Sequence, residues 1–240
     1  MSGRAPRILT DKAEIKSLLE RDRVWAGYSL GDLDEGMFEQ CDWYGAGDTL
    51  AHTFKGLSFI PFFTMGQVED VEAIVGAFLK LPKFYLYQRP EHVPAIEKFY
   101  RVNKPSRMWR MVVRDFQPFS GSLPAGARLV TLGPDRIADM RALYATDNGA
   151  DAFAAFQLAM GFFYGVEQDG ALVSAAGIHL VSPAQGVAAV GNVFTHPAYR
   201  GCGYAAACVS ATVAALQAAG SETIILNVEQ RNLGAIRIYE

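Results

Sequence analysis

The chain has 240 residues and a mass of 26.2 kDa, is 50% hydrophobic and 20% charged, and carries a formal net charge of −3. That much apolar surface offsets chain entropy and excludes disorder, and the slightly acidic balance excludes a general nucleic-acid binder. No run of 18 apolar residues and no signal-peptide core are found, so neither a membrane span nor a secretory leader is expected.

Residues 1–120 hold 16 Lys+Arg and 16 Asp+Glu, whereas residues 121–240 hold 6 and 9, and alanine rises from 8 to 26. This break predicts two differently built α/β domains, at 1–120 and 126–240, joined by the Pro/Gly/Ser-rich residues 117–127. In chain order, a first helix ends over 15–22 and turn signals fill 28–41. Strands follow at 49–53 and 57–64. The stripe Val68, Val71, Ile74, Val75 and Phe78 predicts a helix over 68–79. A strand at 84–88, a short helix at 95–101 and a strand at 107–113 complete the first half. The second half reads as a strand at 128–132, helices at 134–144 and 153–160, and strands at 162–167, 171–181 and 187–195. A helix at 205–219, a strand at 223–228 and a helix from Asn232 to Tyr239 follow. The expected class is α/β with mixed sheets (α+β).

The chemistry concentrates at Arg200-Gly201-Cys202-Gly203-Tyr204-Ala205, between a strand and an alanine-rich helix. Glycines let the backbone turn tightly and approach a ligand. The first amides of a helix and its dipole form an anion site, and successive N–H groups in such a turn suit a pyrophosphate. A P-loop is excluded because no Gly-Lys-Ser/Thr follows. A Rossmann fingerprint is disfavoured, because residues 196–200 separate strand from first glycine and only 11 residues follow Glu229. A plain glycine-rich turn is the bland alternative.

The region closely resembles the coenzyme A site of the GNAT superfamily of N-acetyltransferases. Arg200, Gly203 and Ala205 fit its Arg/Gln-x-x-Gly-x-Gly/Ala turn, and Asn232, Ala235 and Tyr239 fit its N-x-x-A-x-x-x-Y spacing. The resemblance implies acyl transfer, usually acetyl, from acetyl-CoA to the amine of a small molecule or amino acid. It implies that Gly201, Cys202, Gly203, Tyr204 and Ala205 hold the pyrophosphate through their amides. It implies that Val193, Phe194 and Thr195 pair with the pantetheine arm, that Asn232 bonds to that arm, and that Tyr239 protonates the departing thiolate. A base is also required, and His179, Glu229 and His196 are the candidates; each has a structural alternative as a sheet histidine, a solvated strand end and a turn residue.

The family continues past this tyrosine into two closing strands, whereas this sequence stops at Glu240, so either the segment is expected to be cut short or another segment to fill that place. The strand–helix–strand around Gly66 suggests a degenerate copy of the fold in the first half, a pairing that resembles the glycine N-acyltransferase-like branch; an unrelated cap is the alternative. The acidic residues Asp32, Asp34, Glu35, Glu39 and Asp42 read as a solvated turn or as a steering field for a cationic amine. Cys41, Cys202 and Cys208 have no metal-ligand spacing, so no metal is expected, and their scarcity fits the cytoplasm. No nucleic-acid or membrane partner is expected, and a homodimer stays open. A non-catalytic acyl-CoA-binding module is the competing function.

Overall fold

The computed structural model describes residues 5–103, 106–147 and 153–240. The chain divides into two compact units, Met1–Ser106 and Arg107–Glu240.

The first unit runs β1 (Arg7–Ile8), α1 (Lys12–Leu19), α2 (Gly27–Gly31), β2 (Cys41–Ala46), β3 (Thr49–Phe54), β4 (Pro61–Met65), α3 (Val68–Phe78), β5 (Tyr85–Tyr87) and α4 (Val93–Glu97). Helix α1 starts where the Asp11 carboxylate accepts from the Ala13 amide, and it buries Ile15, Leu18 and Leu19 at i, i+3 and i+4. The sheet order is β1-β2-β3-β4-β5. Its pairs are antiparallel except β4 with β5, which the crossover through α3 makes parallel. Helix α3 buries Val71, Ile74 and Val75 in a cluster with Phe62 and Ile96.

The second unit runs β6 (Met108–Val112), β7 (Ala127–Thr131), α5 (Ile137–Tyr144), β8 (Tyr164–Gln168), β9 (Ala171–Ser182), β10 (Val187–Thr195), α6 (Tyr204–Ala218), β11 (Thr223–Glu229) and α7 (Leu233–Tyr239). Its sheet order is β6-β11-β10-β9-β8-β7. Strands β10 and β11 are parallel, and the other pairs are antiparallel. The tight turn between β8 and β9 places Asp169 and Gly170 at φ of 51° and 86°, as a two-residue hairpin loop requires. Helix α6 buries Cys208, Thr212, Val213 and Leu216 over the sheet.

Both units follow one plan. From β1 in the first and from β7 in the second, a strand, a helical stretch and three further strands lead into a helix, then a strand parallel to the one before that helix.

Three local expectations change. Strand β2 begins at Cys41, the last residue of the region read as turns, and fills the unassigned residues after it; Asp42 and Gly45 hid it, and a side chain at Gly45 would press on Leu9 at 2.9 Å. The strand read at 57–64 starts only at Pro61. The strand read at 107–113, placed with the first half, lies in the second unit and pairs antiparallel with β11 from Met108↔Glu229 to Val112↔Ile225. Arg110 donates from Nε to Asn227 Oδ1 across that pair at 2.6 Å.

Candidate active site

Strands β10 and β11 pair only at Val187–Ala189 with Thr223–Ile225, although both continue further. They part because β10 is bulged. Its register against β9 shifts between Ala189 and Val190 and again between Gly191 and Phe194. Within the bulge Asn192 takes φ 54°, the left-handed region that non-glycine residues rarely enter. Side chains hold it there. Asn192 Nδ2 donates to Ile178 O at 3.0 Å and to Gln157 Oε1 at 3.1 Å, and the Tyr144 hydroxyl donates to Asn192 O at 2.8 Å. A bulge bends the strand that carries it, and here a cleft of about 760 Å³ opens where the strands separate, lined on one side by Val193, Phe194 and Thr195.

At the cleft mouth the backbone turns into α6. His196 starts the turn, its Nδ1 accepting from the Ala198 amide at 3.2 Å, so this histidine is a turn residue. Gly201 and Gly203 follow at φ 83° and 78°, and nothing lies within 4 Å of where a Gly201 side chain would start. Gly203 is the N-cap of α6, and no acidic residue lies in that helix's first turn. The first amides of the helix have no acceptor within it, so they and the helix dipole face the cleft with positive character.

Residues 134–240 match the model of the Acetyltransferase (GNAT) family. Residues 134–240 carry a GNAT acetyltransferase domain. The fold is also that of solved structures. An X-ray structure of a Drosophila malonogaster protein aligns with TM-score 0.67 and 13% identity, over 98% of this chain and 93% of that one. A GCN5-related N-acetyltransferase from Kribbella flavida aligns with TM-score 0.60 and 15% identity, over 90% of each chain. One from Sphaerobacter thermophilus aligns with TM-score 0.56 and 18% identity, over 98% and 89%. No curated protein matches the chain.

In the GNAT domain the residues singled out by sequence fall into distinct positions. Val193 to Thr195, Arg200, Gly201, Gly203, Ala205, Asn232, Glu229, His179 and Tyr239 all line the cleft. Cys202 is exposed beside them. Tyr204 points inward, its hydroxyl donating to Gln168 Oε1 at 2.6 Å, so only its backbone amide serves the turn. The Arg200 charge is shared: its guanidinium pairs with Asp147 at 2.6 Å and donates from Nε to Thr195 O at 3.2 Å. Asn232 Oδ1 caps α7 by accepting from the Ala235 amide at 3.1 Å, which leaves Nδ2 as the donor end of that side chain.

Tyr239 lines both this cleft and a second one of about 640 Å³, bounded also by Phe116, Phe119 and Ser210. Burial pushes its hydroxyl up to about 12. His179 lies so close to Gly191 that a side chain at Gly191 would collide with the ring, and burial lowers the imidazole to about 4. Glu229, at the end of β11, accepts from Arg231 Nε at 2.6 Å.

Sequence reading missed Tyr144, Gln157, Asn192 and Phe119. An asparagine inside an apolar strand was the available signal, since an interior polar side chain requires partners.

The corresponding helix start of the first unit is closed to anions. Thr49 Oγ1 accepts from the Gln67 amide at 2.8 Å and donates to Asp70 at 3.1 Å, and Glu69 and Asp70 lie in the first turn of α3. The first turn of α3 thus carries two carboxylates, whereas that of α6 carries none.

Proposed function

We propose that the protein is an acyl-CoA-dependent N-acyltransferase that moves acetyl from acetyl-CoA to the primary amine of a small molecule or amino acid. The parting of β10 from β11, beside a glycine-turned helix start with no carboxylate in it, is the observation that carries this reading. The cleft fits the co-substrate chemically: an anion meets amides, and an extended amide-bearing arm meets an unpaired strand edge, which is strand addition.

In this reading the amides of Gly201 to Ala205 hold the pyrophosphate, with Arg200 as a shared cation. Val193, Phe194 and Thr195 pair with the pantetheine arm, and Asn232 donates to it through Nδ2. Acetyl-CoA supplies an activated thioester carbonyl. A backbone N–H of the β10 bulge polarises that carbonyl. Glu229 draws the cationic amine, and it and the buried His179, lowered to about 4, are the groups at hand to take its proton. Tyr239, protonated throughout the physiological range, donates to the departing thiolate.

The first unit is a degenerate copy of the same fold, an arrangement like that of glycine N-acyltransferase-like proteins. The test is thiol release from acetyl-CoA across a panel of amines and amino acids. Release that depends on an amine supports catalysis; coenzyme A binding without release from any amine replaces it with a non-catalytic acyl-CoA-binding module.

A further inference from the structure

The first unit brings together three side chains that no part of the acyltransfer reading uses. Asp32 follows α2 as its C-cap, Cys41 opens β2 and His52 lies on β3. The strand register explains the meeting of the latter two. Trp43 pairs with His52 and Cys41 with Phe54, so Cys41 and His52 are diagonal neighbours on one face of the sheet. Helix α2, with Leu30 and Gly31 buried, carries Asp32 to the same place. His52 Nε2 lies 3.0 Å from Asp32 Oδ2, and one ligand atom from each of the three residues falls within 4.8 Å of the others.

We propose that Asp32, Cys41 and His52 form a binding site for a divalent cation of the zinc class, with a fourth position open to water. A thiolate, an imidazole and a carboxylate are the ligands such an ion takes in four-coordinate sites. Bound Zn²⁺ with one thiolate and one carboxylate is electrically neutral, which suits side chains as buried as His52 and Asp32, at 4% and 16% exposure. Uptake releases the thiol proton to solvent. With Nε2 on the metal, the ring proton sits on Nδ1, where Ser29 Oγ stands at 3.4 Å to accept it. Trp43 stacks on the ring at a centroid distance of 4.3 Å and fixes its plane. These are the orienting contacts that metal-bound histidines have. The carboxylates of Asp42 and Glu39 add negative potential at Cys41, offset in part by Lys55, which pairs with Asp42 at 2.6 Å.

The experiment uses the full chain, stripped with chelator under reducing conditions and titrated with Co²⁺ and then Zn²⁺. One equivalent of Co²⁺ gives a thiolate-to-metal charge-transfer band with the visible bands of a four-coordinate ion, and Zn²⁺ displaces it. Cys41→Ser abolishes the charge-transfer band, and Cys202→Ser retains it. Ser29→Ala weakens Zn²⁺ by about 10- to 100-fold, the usual cost of a lost orienting partner, and Cys41→Ser weakens it more. The proposal is overturned if uptake is not stoichiometric, or if the band survives Cys41→Ser. A circular-dichroism spectrum like the parent's shows that each variant is folded.

Discussion

The hydroxyl of Tyr144 donates to the main-chain carbonyl of Asn192 at 2.8 Å, from helix α5 to the bulge of β10. Both groups are buried, and burial keeps the phenol protonated. Tyr144→Phe leaves a buried carbonyl unsatisfied at a residue already in the left-handed region. We expect a loss of about 1–3 kcal/mol in stability and weaker acetyl-CoA binding, read by denaturant unfolding and calorimetry. Unchanged affinity together with unchanged stability would show that the bulge does not depend on this bond.

Gly203 separates steric from electrostatic effects. Its φ of 78° makes any side chain cost about 1–2 kcal/mol, and an added carboxylate also opposes the pyrophosphate. Gly203→Ala is expected to retain measurable coenzyme A binding, whereas Gly203→Glu eliminates it. Equal affinities of Gly203→Glu and the parent in calorimetry refute the site.

Tyr239→Phe removes the proposed proton donor and little volume. Turnover should fall by about 10²- to 10⁴-fold, the usual contribution of general acid catalysis, with coenzyme A affinity nearly unchanged. A fall in affinity that accounts for the whole rate loss would make this tyrosine a packing residue.

His179 gives a signature in stability. Its imidazole falls from an ordinary 6.5 to about 4 through burial, so the unfolded chain binds the extra proton first as pH drops. The stabilisation is complete above about 6.5 and is lost as pH falls through about 4, and in full it amounts to about 3 kcal/mol. His179→Gln should flatten the decline of melting temperature across that window. An identical slope in the variant places the acid sensitivity elsewhere.

The sequence made the second unit's elements legible because its signals are local. Asp169-Gly170 forces a tight turn, Gly220 sits at φ 85° just beyond α6, and the run of branched residues marks β11. Arg200, Gly203 and Asn232 were legible for the same reason, as spacing within a few residues fixes a helix start. What sequence left hidden is long-range. Nothing near residue 110 shows that it pairs with residue 227, and nothing near Asp32 shows that it meets His52 twenty residues on. The ion pair of Arg200 with Asp147 is hidden likewise, and it changes how much charge the turn can offer.

The early parting of β10 and β11 has a consequence for solubility. An unpaired strand edge usually invites another chain to add to it. Here the edges beyond Ala189 and Ile225 face each other inside one sheet, since β9 and β6 already cover their outer sides. A second protein's strand, with side chains on both faces, meets a gap bounded by two flanking strands and the start of a helix. A slender unbranched molecule would meet the β10 backbone together with the side chains of Asn232 and Tyr239. On the proposed reading the domain thus keeps an interior edge that sorts by thickness, open to a thin ligand and narrow for a strand.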